Sequence, residues 1–128
     1  MSVVVDSSGW IEYFVDGPNA DYFSEAIENT VELIIPSIIL TEVYRWMLRH
    51  SSESNALTVL AMMKQGKVID LDAFHAVTSA ELSHQHRLPL ADGIICATAM
   101  QCKAELITQD EDLKGLDGVR YIIHPNLK

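Results

Sequence analysis

Four acidic residues stand where a plain surface role accounts for them poorly. Asp6 closes the run Val3-Val4-Val5, at the carboxyl end of a strand, which is where open parallel sheets gather their ligands. At roughly 100° per residue, Glu42 falls between Ile38 on one side and Ile39 and Trp46 on the other, inside the apolar stripe of a helix. Asp92 shares a helix face with Ile95, Cys96 and Ala99, and Asp110 follows the strand Leu106-Ile107-Thr108, with Glu111 and Asp112 close behind. Each has a plainer role if taken singly. Asp6 could cap a helix, Glu42 could pair with Arg45 or Arg49, Asp92 could answer a helix dipole, and Asp110 could belong to an exposed acidic turn. A carboxylate in an apolar stripe nevertheless costs several kcal/mol unless it is paired, hydrogen-bonded or bound to a cation. Two strand ends and two helix faces packed on one sheet would bring all four to one pocket. Carboxylates so crowded cannot all stay ionised without compensation, which a hard, oxygen-seeking Mg²⁺ or Mn²⁺ supplies. That donor set points to metal-assisted phosphoryl chemistry.

The elements that must position these residues alternate short β-rich runs with longer helical patterns, as in an α/β fold with a parallel sheet. Strands are expected at Ser2–Val5, Glu32–Ile35, Lys67–Leu71, Glu105–Thr108 and Val119–Ile123, each rich in Val, Ile and Leu as suits strands covered on both faces. Helices are expected from Trp10 to Val15 after Ser8, from Asp21 to Asn29 after Asn19, and from Ile38 to His50 after Ser37. Others follow from Ser54 to Gln65, stopped by Gly66, from Asp72 to His86 with Asp72 as cap, and from about Leu90 to Lys103. The small Ala91, Ala97 and Ala99 suit the last of these to close packing. A short helical turn is expected at Glu111–Leu116 and a frayed tail at Pro125–Lys128.

A chain of 128 residues, 48% hydrophobic and 21% charged with 6 Gly and 4 Pro, has the composition of one globular domain over residues 1–128. No apolar run approaches the ~20 residues of a membrane span. The opening MSVVVDSS has no basic region or cleavage pattern, so a cytoplasmic location is expected. Cys96 and Cys102 fall on different faces of one helix and are read as small apolar residues. His84 and His86 point about 200° apart on a helix and make no zinc site. With 9 basic residues against 18 acidic and a net charge of -9, non-specific attraction to phosphate backbones is unfavourable, so any nucleic-acid role needs metal ions or a local basic patch. Arg45 and Arg49, one and two turns beyond Glu42, are the candidates for phosphate contacts, with Lys64 and Lys67 flanking a loop.

The segments VVVDSSGWIEYF, PSIILTEVYRW, LPLADGIICATA and ELITQDEDL together resemble, in order and spacing, the PIN domain (PilT N-terminus) nucleases, and among them the VapC-type toxins of toxin-antitoxin pairs. The resemblance spans essentially the whole chain. It implies a three-layer α/β/α fold with a five-stranded parallel sheet in the order 3-2-1-4-5, which would set Asp6 beside Asp110 at the switch between strands one and four. By position it implies Asp6, Glu42, Asp92 and Asp110 as catalytic residues and metal ligands. Asp112 could share or replace the role of Asp110, and Ser8 and Thr108 stand as supporting residues, Thr108 within the family's T-x-D pattern. Hydrolysis of an RNA phosphodiester by an activated water in an in-line displacement, aided by Mg²⁺ or Mn²⁺, is the implied reaction. A cognate antitoxin and a homodimer are the implied partners. A PIN nuclease of RNA maturation or decay without an antitoxin is an alternative. A receiver-like signalling domain, of another class, shares length and acidity but needs an acidic pair after strand one and a Lys after strand five. Here Asp6-Ser7 and His124-Pro125 occupy those places.

Overall fold

In the computed structural model, which describes residues 1–126, the short apolar runs become five parallel strands in the order β3-β2-β1-β4-β5. They are β1 (Val3–Val5), β2 (Leu33–Pro36), β3 (Lys67–Ile69), β4 (Glu105–Thr108) and β5 (Val119–Tyr121). Six helices connect them: α1 (Ser7–Phe14), α2 (Ala20–Glu28), α3 (Ser37–His50), α4 (Glu53–Met63), α5 (Ala73–His86) and α6 (Leu90–Gln101). The chain moves one way across the sheet from β1 to β3 and then crosses to β4 and β5. Right-handed crossovers therefore put α1 to α4 on one face and α5 and α6 on the other, giving three layers. The order reverses between β1 and β4, and the carboxyl ends of those two strands open onto the crevice where such sheets take ligands.

β1 and β2 are wholly buried, whereas the edge strands β3 and β5 are only partly covered, so the expectation of two covered faces fails at both edges. The edges are also shorter than expected. β3 stops at Ile69, opposite Pro36, whose nitrogen has no proton to extend the ladder, and Leu71 is left exposed. β5 stops opposite Thr108, where β4 itself ends, and Ile123 is exposed. Apolarity marked these residues as strand, but a strand needs a neighbour.

Helix starts differ where a side-chain cap lies two residues upstream of the expected serine. α1 begins at Ser7, three residues before the expected Trp10, because the Asp6 carboxylate accepts the Gly9 N–H at 3.1 Å. α4 begins at Glu53, one residue before the expected Ser54, with Ser52 as its cap, whereas Asp72 caps α5 as expected by accepting the His75 N–H. α6 stops at Gln101, short of Lys103, which takes the left-handed conformation that ends a helix. The turn after β4 is a single 3-10 turn, Glu111–Leu113, rather than a run to Leu116. Pro125 and Asn126 form a turn in which the Asn126 N–H donates to His124 Nδ1, while Leu127 and Lys128 lie outside the described residues.

α5 and α6 form the tightest helix pair, and its closest approach is at Gly93, where a Cβ would stand 2.8 Å from the Ser79 carbonyl oxygen. Ala97 and Ala99 are buried as expected, but Gly93 sets the spacing. A polar staple crosses the same seam: the Thr98 hydroxyl donates to the Ile94 carbonyl and takes the Nε2 proton of the buried His75 at 2.8 Å. This seam fixes the start of α6, and with it Asp92, against the sheet.

Candidate active site

Asp6 is 3% exposed, and three hydrogen bonds hold its carboxylate. Oδ1 accepts from Ser8 Oγ at 2.8 Å and from Gly9 N, and Oδ2 accepts from Thr108 Oγ1 at 2.6 Å. Thr108, fully buried at the end of β4, accepts in turn from the Asp110 N–H at 2.8 Å. β1 and β4 are thus tied at their carboxyl ends through one hydroxyl, and Asp110 is placed by that tie. Helix cap and site residue are both true descriptions of Asp6, since the cap is what aims the carboxylate.

Asp92 enters from the first turn of α6, on the face that buries Ile95, Cys96 and Ala99. One carboxylate oxygen each from Asp92, Asp110 and Asp112 lie within 4.8 Å of one another. Asp110 caps the 3-10 turn, its Oδ1 accepting the Asp112 N–H at 2.9 Å, and this brings the exposed Asp112 round to the same place. Glu42 stands on α3, half-buried, where the Ser7 hydroxyl donates to its Oε1. Arg45 and Arg49 do not pair with it, so the plainer reading of Glu42 fails. Among the described residues none of the five acids has a cationic partner.

The electrostatic result is strong. Burial pushes Asp6 up to about 6 despite its three hydrogen bonds, with Asp110 adding to the shift. Asp92 rises to about 7, first through burial and then through the charges of Asp110, Asp6, Glu42 and Asp112. All four of the other acids therefore act on Asp92. The Cys96 thiol, one turn beyond Asp92, is pushed up to about 11 by burial and by Asp92 and Asp6, which keeps it protonated and unreactive.

A second polar knot holds the turn beneath Asp110. Asn19 Nδ2 donates to Gln109 Oε1 and to the Ile123 carbonyl, Gln109 Nε2 donates to the Ser8 carbonyl, and Glu12, buried, accepts the Asn19 N–H at 2.7 Å. Ser7, Asn19 and Gln109 are positioning residues that sequence reasoning missed. Their long-range partners lie 35 to 104 residues away, so no local pattern marks them. Lys64 and Lys67 lie at the amino end of β3, the opposite end of the sheet from the acids, and cannot serve the same pocket.

A model of the PIN domain family matches residues 3–119. The chain belongs to the PIN domain family. Solved structures of similar fold cover nearly the whole chain. A toxin-antitoxin complex from Klebsiella pneumoniae aligns at 26% identity and a TM-score of 0.77, covering 94% of this chain and 100% of that one. VapBC2 from Rickettsia felis, bound to a DNA fragment from its promoter, aligns at 16% identity and a TM-score of 0.73, over 96% and 98% of the two chains. VapC20 from Mycobacterium tuberculosis, a Sarcin-Ricin loop cleaving toxin, aligns at 15% and 0.71, over 88% and 92%. The last two show the fold alone. No curated protein sequence matches the chain. In this PIN domain the described helices include none long and apolar enough to cross a membrane.

Proposed function

We propose that this PIN domain is a divalent-metal-dependent endoribonuclease acting on single-stranded RNA, the toxin of a VapBC-type toxin-antitoxin pair. The observation that carries the reading is the convergence of Asp92, Asp110 and Asp112 beside the buried Asp6, with no cationic partner among the described residues. A set made only of carboxylate oxygens fits Mg²⁺ or Mn²⁺ and suits neither zinc nor copper, which favour nitrogen and sulfur. Asp6, Glu42, Asp92 and Asp110 would hold the ion, with Asp112 sharing the place of Asp110. When bound, the ion would supply Lewis-acid stabilisation of phosphate charge and a more acidic water.

The chain's own residues have separable tasks in this account. Thr108 and Ser8 hold the Asp6 carboxylate in one orientation, and Ser7 does the same for Glu42. Asp92, whose carboxyl is pushed up to about 7 by burial and by its acidic neighbours, is the ligand that gains most from a bound cation. Arg45 and Arg49 would contact RNA phosphates. The likeness to a toxin-antitoxin complex supports a cognate antitoxin as partner, and exposed Leu48 and Leu57 on α3 and α4 support a homodimer. A cytoplasmic location goes with this reading.

The test is cleavage of a single-stranded RNA in Mg²⁺ or Mn²⁺, with and without excess EDTA. Cleavage only in the presence of the ion is the expected result; activity undiminished in EDTA contradicts it.

A further inference from the structure

Beyond Glu42 the face of α3 is not apolar. Glu42, Arg45, Trp46, Arg49 and His50 recur at the spacing of one helix face along about 12 Å of axis. With Ser7 they line a groove of about 290 Å³. Trp46 and His50 stack with ring centroids 4.3 Å apart and planes 15° from parallel. His50 Nδ1 lies 3.0 Å from the Trp46 carbonyl oxygen, which can only accept, so the ring is tied by its own proton over the indole. Trp46 is half-buried against the core, whereas His50, Arg45 and Arg49 are exposed. Neither arginine has an ion-pair partner among the described residues, although the chain carries 18 acids to 9 bases.

We propose that this stripe is a nucleobase subsite, which rests on the ribonuclease reading above: an unpaired base next to the scissile phosphate lies on the His50–Trp46 stack, and Arg45 and Arg49 hold the phosphates on either side. A preformed aromatic stack flanked by guanidiniums is the arrangement by which proteins hold single strands, because every base has a π-face and the backbone supplies the charge. A base inside a duplex has both faces covered and cannot use it. The strand therefore leaves the acidic centre along α3 towards its carboxyl end, and the enzyme requires one unstacked nucleotide there. An apolar cleft lined by Phe14, Met47 and Val59 lies behind the stack and would suit a protein segment. The two unpaired guanidiniums on the Glu42 side favour RNA for the stripe itself.

The experiment uses the full chain with Mn²⁺ and a set of single-stranded RNAs, each with one abasic nucleotide near the mapped cleavage point. One abasic position is expected to lower kcat/KM about tenfold in the wild type. That loss should vanish in His50→Ala and return in His50→Phe, with melting curves showing all three folded. Equal abasic losses in wild type and His50→Ala overturn the subsite while leaving the nuclease reading intact. Binding is read separately, as the anisotropy of a labelled RNA with Asp92→Asn, which should weaken about tenfold on adding His50→Ala. Should His50→Ala and Arg49→Ala leave RNA binding within twofold but weaken an antitoxin, the stripe serves a protein partner and the proposal is wrong. If the wild type cleaves no RNA and binds none, the ribonuclease reading and the subsite fall together.

Discussion

Asp6 and Asp92 are both buried acids with raised pKa values, yet the molecule holds them in opposite ways. Asp6 lies on a floor made by β1 and β4, where Ser8, Gly9 and Thr108 donate to it and it caps a helix in return. Asp92 stands on the rim, where burial is compounded by four other acids and no cation answers them among the described residues. The floor is integrated into the fold, so its loss should be felt as instability. The rim is in conflict with the fold, so its loss should be felt only in chemistry. A site that must accept a cation is expected to carry this kind of uncompensated charge.

The largest effect expected from this contrast is on cleavage. Substituting an outer residue of a metal site costs about 10–100-fold, so Asp92→Asn and Asp6→Ala should each lose more than about hundredfold in kcat/KM. Stability should separate them. Asp6→Ala leaves the Ser8 and Thr108 hydroxyls and the Gly9 N–H without their acceptor and should cost about 2–4 kcal/mol in a denaturant titration, while Asp92→Asn should cost nothing. Equal destabilisation by both would remove the distinction between floor and rim.

Thr108→Val sharpens the same comparison without touching a carboxylate. It keeps the shape but removes the donor to Asp6 and the acceptor for the Asp110 N–H, and should cost about 2–3 kcal/mol. Because that hydrogen bond favours the charged form of Asp6, the acid limb of the pH–rate profile should move to higher pH. An unchanged profile would mean that Thr108 is a packing residue only.

Gly93→Ala tests whether the α5–α6 seam positions the rim. Alanine ordinarily helps a helix by about 1 kcal/mol over glycine. Here its Cβ would press on the Ser79 backbone carbonyl, and net destabilisation of about 1–2 kcal/mol is expected. A stabilised variant with full activity would show that the seam gives way freely.

The smallest effect concerns pH. The folded-state pKa of Asp92 is near 7 and that of Asp6 near 6, both above the ordinary 3.8. The stability attached to such groups is fully present below about 3.8 and is lost as pH rises through 6 to 7. In chelator, Asp92→Asn should therefore melt above wild type by about 3–6 °C at pH 8, and the gap should shrink by pH 5. A gap independent of pH would place the cause outside the titration of Asp92.

Much of this contrast was legible in the chain itself, for reasons that differ by residue. Asp6 and Asp110 are signalled because they follow the apolar runs Val3-Val4-Val5 and Leu106-Ile107-Thr108, where a parallel strand ends. Glu42 and Asp92 are signalled because a charge in an apolar helical stripe demands a partner. Gly93 is less visible, since a glycine among alanines does not say which backbone it approaches. Ser7, Asn19 and Gln109 are invisible locally, because their hydrogen bonds are made only after distant segments meet. The ends of β3 and β5 were overdrawn because apolar content cannot report where the neighbouring strand stops.

The central claim is that the rim is built for a cation at the expense of the metal-free fold, and thermal melting of wild type and Asp92→Asn at pH 8, in EDTA and across a Mg²⁺ titration, tests it most directly. In EDTA the variant should melt at or above the wild type. Mg²⁺ should then raise the wild-type midpoint progressively while leaving Asp92→Asn nearly unmoved, since only a ligand bound by the folded state stabilises it. A variant clearly less stable than wild type in EDTA, or equal Mg²⁺ shifts in the two proteins, would contradict the account.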